Sequence, residues 1–277
     1  MSKLVNKVKV FSPDDSRDHK YTAERIELPE EYIPESILPI TDQFWSSMCV
    51  AHALSTTMSY CERKAGLVPN EYSKGFIYGN RNGQREDSEG MVTRDAIKIL
   101  HKEGDCPHKY FRWHMSNVGS VVKAFKKDEN RLQLLASPYR LKEYIRLTTV
   151  EEIKQAVYKY GACVLCYPTR KSNKTYIEPA TDKATGSHAI TVIGWTKDHF
   201  ILQNSWGKSA GEGGLFYMNY DYDWREAWAL VIYPTTERDP APKGDEINDF
   251  FFTIKEVFVG IGYVIKWLFN KTSKKDN

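Results

Sequence analysis

The hydrophobic pattern of this 277-residue chain changes near residue 161 from a helical period to short, strand-like runs. Three helices are predicted, one from near Ser47 to just before Gly66 and two more over 93–103 and 150–160. Five strands are predicted, at 163–167, 189–195, 200–203, 214–218 and 228–233. Helices first and strands later are typical of an α+β fold.

The first predicted helix carries a cysteine in its first turn. Ser47 is the predicted N-cap and Gly66 the predicted C′ residue, which puts Cys49 at the start of the helix. Backbone N–H groups and the helix dipole favour negative charge there, so we expect them to stabilise the Cys49 thiolate. His52 on the same helix is predicted to be a surface or packing histidine. Apolar spacing predicts that one face is buried, comprising Val50, Ala53, Leu54, Thr57, Met58 and Cys61.

Three other polar residues have the chemistry that a nucleophilic cysteine needs. Gln43 lies six residues before Cys49, close enough for its amide to fold back beside the sulfur. His188 stands in Gly-Ser-His-Ala-Ile, and Asn204 stands in Gln-Asn-Ser-Trp-Gly. A lone cysteine or histidine of this kind is usually a packing residue, but the four together supply a nucleophile, a base, an orienting group and an oxyanion donor. That set is the one required for covalent acyl transfer.

The order Gln–Cys–His–Asn resembles the papain family of cysteine peptidases. His188 follows Cys49 by 139 positions and Asn204 follows it by 155, compared with roughly 130–150 in that family. Segments 28–29 and 38–43 are similar to the start of a mature papain-like domain. Segments 72–78 and 211–218 resemble the stretch after the active-site helix and the closing strand.

The resemblance implies a two-lobed papain-like domain over 28–234, with a helical lobe at about 41–135 and a β-barrel-like lobe at about 136–234. It implies an endopeptidase in which Cys49 is the nucleophile, His188 the base and Asn204 the group that orients it. Gln43 would donate to the oxyanion, and Trp206 would shield the His188–Asn204 bond from water. The substrate would be a peptide or protein.

The resemblance also suggests where a substrate binds. Segment 87–92 occupies the place of a glycine-rich wall, where Gly90 would let the substrate backbone approach closely. Met91, Val92 and Ala189 would line an apolar pocket. The alternative interpretation of this segment is a surface loop that caps the helix beginning at residue 93.

The chain departs from the family pattern at three positions: Ser47 replaces a usual glycine, and Val50 and Ala210 each replace a usual tryptophan. These changes loosen the aromatic wall on the leaving-group side. We expect them to affect the reaction rate and the substrate preference more than the catalytic chemistry. Two other functions stay open. One is a catalytically silent papain-like protein that binds peptides or scaffolds a membrane complex, and the other is an amidase or isopeptidase that uses the same triad.

Charge and cysteine usage narrow the remaining possibilities. The net charge of +3 and the absence of a basic-aromatic groove pattern argue against nucleic acid as a partner. The five cysteines are odd in number, and no secretory signal is visible, so we expect a reducing, cytoplasmic location. Cys163 and Cys166 lie three apart in a predicted strand, where their side chains point to opposite faces and pack rather than bind metal. No metal or cofactor is predicted.

The two ends of the chain differ from the central domain. Residues 1–27 are polar and are interpreted as an arm or a short pro-segment. Residues 235–247 are typical of a linker, 248–270 form a predicted hydrophobic helix, and 271–277 are a basic tail. The helix is amphipathic with a wide apolar side, which favours attachment to an anionic membrane surface. A membrane span and docking against protein remain alternatives.

Overall fold

The elements of the computed structural model follow the predicted order of helices and strands. The structure describes residues 11–16, 18–22, 25–81, 89–113, 118–234 and 237, apart from the Val118 side chain. The helices are α1 (Cys49–Lys64), α2 (Lys74–Gly79), α3 (Thr93–Lys102), α4 (Val118–Lys126), α5 (Glu129–Ala136) and α6 (Val150–Tyr160). The strands are β1 (Leu141–Leu147), β2 (Cys163–Thr169), β3 (Tyr176–Ile177), β4 (Gly186–Trp195), β5 (His199–Gln203), β6 (Leu215–Asn219) and β7 (Glu226–Ile232).

The described strands form one sheet with the order β1-β7-β2-β4-β5-β6-β3. Neighbouring strands are antiparallel, except for the β3–β6 pair, which is parallel. Strand β2, third in this order, is buried along its whole length, as expected for a strand covered on both faces. Its register with β4 sets His188 opposite Tyr167 and Ala189 opposite Cys166. Two residues of the predicted site region therefore lie at the centre of the sheet.

Helix α1 packs against this sheet and is itself nearly enclosed. The six side chains predicted to face the core are all buried. Polar contacts fix its position along β4 and β5: the Thr191 hydroxyl donates to the Ala53 carbonyl at 3.0 Å, and the Tyr60 hydroxyl donates to Gln203 Oε1 at 2.5 Å. Gln203 directly precedes Asn204, so the second contact also fixes the distance from α1 to that residue.

Except at the start of α1, the predicted helix ends agree with the structure to within one residue. Gly66 has φ +76° and donates to the Arg63 carbonyl, while the next N–H donates to Glu62, which is the expected glycine-terminated ending. Helix α6 has the predicted bounds, and α3 ends one residue earlier than predicted. The N-cap prediction for Ser47 is wrong. The cap of α1 is Met48, whose side chain accepts no hydrogen bond, so the first N–H groups of the helix are not occupied by a capping side chain.

The described part of the N-terminal segment is held against both α3 and β1. The Asp18 carboxylate pairs with Arg94 at the start of α3 and, at 3.4 Å, with Arg146 in β1. The Ser12 N–H donates to the buried Glu226 carboxylate at 2.7 Å, and the Ser12 hydroxyl accepts from the Arg94 backbone N–H at 2.9 Å. This stretch is thus fastened to the domain by buried polar contacts.

The C-terminal predictions are not tested by these coordinates. Within the predicted linker at 235–247 only residue 237 is described, and the predicted helix at 248–270 and the basic tail at 271–277 lie outside the described residues. In the part of the chain that is described, no helix is long and apolar enough to cross a membrane. Membrane attachment stays a prediction.

Removing the Asp18 carboxylate should destabilise the fold. Its side chain and that of Arg94 are 8% and 7% exposed, so Asp18→Ala would leave two nearly buried guanidinium groups without their shared partner. We expect a loss of about 3 kcal/mol in the free energy of unfolding, measured by urea denaturation.

The matched control is Glu237→Ala, which removes an ion pair with Lys142 in which both side chains are about half exposed. It should cost less than about 1 kcal/mol. Equal losses in the two variants would show that Asp18 does not fasten the N-terminal segment.

Candidate active site

Cys49 is the first residue of α1 and is 3% exposed. The backbone N–H groups of Ala189, Val50 and Cys49 itself lie toward its sulfur and act to lower the thiol pKa. Ala189 directly follows His188 in β4, so the structure brings the first turn of α1 to the strand that carries the predicted base. Because Met48 provides no capping side chain, the N–H groups at this helix start remain available to the sulfur.

His188 is buried among aromatic rings and bonded to Asn204. Its Nε2 lies 2.8 Å from Asn204 Oδ1, and the ring is 3% exposed. The Trp206 ring covers it at a centroid distance of 4.6 Å and an angle of 32°, and Tyr167 meets it edge-on at 5.8 Å. The structure therefore brings together His188, Asn204 and Trp206 as the sequence predicts, with Trp206 placed to keep water from the histidine–asparagine bond.

The contacts of Asn204 determine the histidine tautomer. Its Oδ1 also accepts the Ser205 backbone N–H at 2.7 Å, which identifies that atom as the oxygen because a backbone N–H can only donate. His188 must then donate from Nε2, so the neutral ring carries its proton on Nε2 and a lone pair on Nδ1. Asn204 thus orients the imidazole with Nδ1 ready to accept a proton.

Burial favours the neutral form of both Cys49 and His188 near pH 7. It raises the pKa of the Cys49 thiol to about 11, although the surrounding backbone N–H groups act in the opposite direction. It lowers the pKa of His188 to about 4, although the hydrogen bond that His188 donates to Asn204 raises it. The helix start favours the thiolate, as expected from the sequence, but desolvation has the larger effect.

Gln43 is anchored beside the same residues. Its backbone N–H donates to the Ser205 carbonyl at 2.8 Å, and its Oε1 accepts from the Ser205 hydroxyl at 2.6 Å. One N–H of the side-chain amide donates to the Ser46 carbonyl at 2.8 Å, which leaves the second N–H for another acceptor. Sequence reasoning did not single out Ser205, although it stands inside the Asn-Ser-Trp-Gly motif that marks the site.

The turn after Gln43 has an unusual backbone. Phe44 is the one non-glycine residue with positive φ in the described ranges, at +50°, a conformation that costs such a residue about 1–2 kcal/mol. The Asp42 carboxylate accepts the Phe44 N–H at 2.6 Å, and Asp42 forms a backbone bridge with Trp206. Phe44 and Trp45 are 51% and 66% exposed. Two large aromatic side chains therefore project to the surface next to Gln43.

The predicted substrate-binding residues lie at the start of α3 and on β4. Gly90 has φ +77°, Met91 is buried, and Val92 is half-buried and forms the N-cap of α3. The next residue, Thr93, has its hydroxyl 3.2 Å from the Cys166 sulfur, and Cys166 is paired with Ala189 across the sheet. The start of α3 thus lies against β2, next to the strand that carries His188, whereas residues 87 and 88 of the predicted wall segment lie outside the described residues.

The remaining candidates are structural. His52 is fully buried and its Nδ1 lies 2.9 Å from the Thr41 hydroxyl, so it is a packing residue, which was one of its predicted alternatives. Cys163 and Cys166 are both buried. In the described residues, no group of three or more His, Cys, Asp or Glu side chains could hold a metal ion.

Comparison with known sequences agrees with this geometry. Residues 48–233 match the model of the papain family of cysteine proteases. The chain is 25% identical over 243 residues to the uncharacterized peptidase C1-like protein L477 of Acanthamoeba polyphaga mimivirus, which covers 78% of this chain and 76% of that protein. It is 31% identical over 103 residues to cathepsin B-like cysteine proteinase 3 of Caenorhabditis elegans, or 34% of this chain and 26% of that protein.

Comparison with solved structures supports the fold. Xylellain, a cysteine protease from Xylella fastidiosa, superposes with a TM-score of 0.73 at 25% identity over 84% of this chain and 99% of its own. Procathepsin B S9 from Trypanosoma congolense gives 0.67 at 15% identity over 84% and 87%. These matches confirm the predicted α+β, papain-like fold. The family match covers well over half of the sequence, and the chain belongs to the papain family of cysteine proteases.

Proposed function

We propose that this cysteine protease hydrolyses peptide bonds through a thioester on Cys49, with His188 and Asn204 completing the triad. The observation that carries the proposal is the His188 Nε2–Asn204 Oδ1 bond, which leaves Nδ1 unprotonated on a strand whose next residue directs its N–H toward the Cys49 sulfur. Nucleophile, base and orienting group are thereby present in their required chemical states.

In the first step, His188 Nδ1 takes the thiol proton while the sulfur bonds to the substrate carbonyl carbon. Negative charge moves to the carbonyl oxygen, where the Cys49 backbone N–H and the second N–H of Gln43 donate to it. Each such donor typically lowers the barrier by about 3 kcal/mol. Because burial disfavours either charge alone, the thiolate and imidazolium must form as a pair.

In the second step, the imidazolium gives its Nδ1 proton to the leaving amine, and the carbon–nitrogen bond breaks. Water then attacks the thioester, with His188 accepting its proton. The acid product leaves, and the proton returns to sulfur to restore the Cys49 thiol. Asn204 exchanges no proton, so its role is to hold the ring and its tautomer. The same two steps serve an isopeptide or another amide equally well, so the bond type rests on the substrate and not on the triad.

Alkylation should identify the nucleophile. We expect an epoxide directed at papain-like enzymes to add once, at Cys49, in intact-mass analysis near neutral pH, and Cys49→Ala to abolish both labelling and peptide hydrolysis. The matched control is Cys61→Ala on the same helix, whose thiol is equally buried but lies twelve residues beyond Cys49 and donates to the Leu230 carbonyl in β7 at 3.4 Å. Equal labelling of Cys61 or Cys106 in the folded enzyme, or full labelling without hydrolysis, would favour the silent alternative.

The resting protonation state should appear in the pH dependence of stability. His188 in the unfolded chain binds a proton below about pH 6.5, whereas the folded protein does not until about pH 4. Between these values the unfolded state binds more protons, so wild type should lose up to about 3 kcal/mol of unfolding free energy relative to His188→Gln as pH falls from 7 to 4. The measurement is urea denaturation at a series of pH values. No such loss relative to His188→Gln would mean that the folded protein takes up a proton at His188 as readily as the unfolded chain does, which would contradict the low pKa of the buried imidazole.

We also propose that Met91, Val92 and Ala189 bind a bulky apolar side chain on the acyl side of the scissile bond. The support is the contact of Thr93, at the start of α3, with Cys166 in β2, which is paired with Ala189 in β4. A peptide library should show apolar preference two residues before the cleaved bond, and Val92→Asp should reverse it. An acidic or basic preference in wild type would contradict the pocket.

A further inference from the structure

Three exposed aromatic side chains belong to two segments that a backbone bridge joins beside the proposed site: Phe44 and Trp45 in one, and Trp206 in the other. Phe44 and Trp45 have ring centroids 5.8 Å apart, and Trp206 is 38% exposed above His188. Single exposed apolar side chains are ordinary on protein surfaces, but an adjacent group is characteristic of a binding surface. Each of the three lies within two residues, along the chain, of a residue that the proposed mechanism uses: Gln43 for the first two and Asn204 for the third.

The backbone at Phe44 is held in a conformation that favours glycine. The Asp42 carboxylate fixes it by accepting the Phe44 N–H, and the Asp42–Trp206 bridge ties the same turn to the tryptophan over His188. A glycine at position 44 would adopt φ +50° without strain. The turn therefore does not require a large apolar side chain at position 44. The exposure of the Phe44 side chain shows that it does not pack in the core either.

Protonation of the leaving amine determines which part of a substrate lies next to these aromatic side chains. His188 must reach the leaving amine to protonate it, so the chain that follows the scissile bond runs over the histidine side of the site. Trp206 covers that side, and the turn at 42–45 is bridged to Trp206. Phe44 and Trp45 thus lie beside the leaving-group segment of a bound peptide.

We propose that Phe44 and Trp45, together with Trp206, bind a large apolar or aromatic side chain in the first two residues after the scissile bond and so determine specificity there. The inference rests on the proposed peptidase function. Offset or edge-to-face ring contacts would add to the apolar area that such a side chain buries. Apolar contact with Phe44 and Trp45 would select against serine or aspartate at the same positions.

The test uses internally quenched peptides with one fixed acyl-side sequence and with Phe, Leu, Ser or Asp at each of the two positions after the cleaved bond. For wild type we expect the kcat/KM ratio of Phe to Ser to be at least tenfold at one position. Phe44→Gly and Trp45→Ser should each reduce that ratio about tenfold. The control is Leu134→Ala on α5, which removes an equally exposed apolar side chain far from the site and should leave the ratio unchanged.

Two further readouts separate the possible failures. A peptide with only a fluorogenic leaving amine reports the triad alone: no hydrolysis of it by wild type contradicts the peptidase function, whereas hydrolysis with unchanged Phe-to-Ser ratios in both variants overturns only the specificity proposal. Phe44→Gly should melt at the same or a higher temperature than wild type, because glycine relieves the strain at φ +50°. A clearly lower melting temperature, or a wild-type dimer that Phe44→Gly dissociates, would assign the aromatic pair to folding or self-association and overturn the proposal.

Discussion

The packing of helix α1 on strands β4 and β5 is the constraint on which the site depends. Cys49 belongs to the helix, whereas His188 belongs to β4 and Asn204 directly follows β5, so their relative position depends on how far the helix can slide. The bonds from Thr191 to the Ala53 carbonyl and from Tyr60 to Gln203 prevent that movement at two points, four and eleven residues along from the sulfur. Substitution of Tyr60 or Thr191 would therefore alter the position of Cys49 relative to His188 and Asn204, although neither residue has a role in the proposed mechanism.

The same burial that fixes the geometry also determines the charges. A site open to water would let the cysteine and histidine ionise separately, each near its ordinary pKa. Here desolvation opposes each charge, and the backbone N–H groups of the helix start offset only part of the cost for sulfur. In the proposed mechanism, proton transfer from Cys49 to His188 would create two opposite charges side by side, which a buried environment tolerates better than either charge alone. Trp206 maintains this condition by covering the imidazole ring.

Much of the fold and the site could be predicted from the sequence because the informative residues lie in strongly patterned segments. Helix α6 was predicted with its bounds because an amphipathic run ends before Gly161, and Cys49, His188 and Asn204 stand in motifs with a characteristic order. Strand β1 was missed because its sequence alternates poorly, with charged residues at positions 142, 143 and 146 that the sheet edge and Asp18 accommodate. The prediction of Ser47 as the N-cap of α1 was wrong because local propensity favours serine, whereas the tertiary structure places Met48 at that position. The raised thiol pKa was also inaccessible, since desolvation depends on the surrounding fold.

The attachment of the N-terminal segment has a consequence for how the chain reaches its native state. The Ser12 N–H donates to the Glu226 carboxylate, 214 residues further along the chain. The Asp18 carboxylate forms ion pairs with both Arg94 in α3 and Arg146 in β1. During synthesis this segment emerges from the ribosome before any of its partners exist, and its last partner belongs to the last strand of the sheet. Contacts of such long range are costly to close until the intervening chain is compact. The first part of the domain to be made is therefore among the last to be fixed in place.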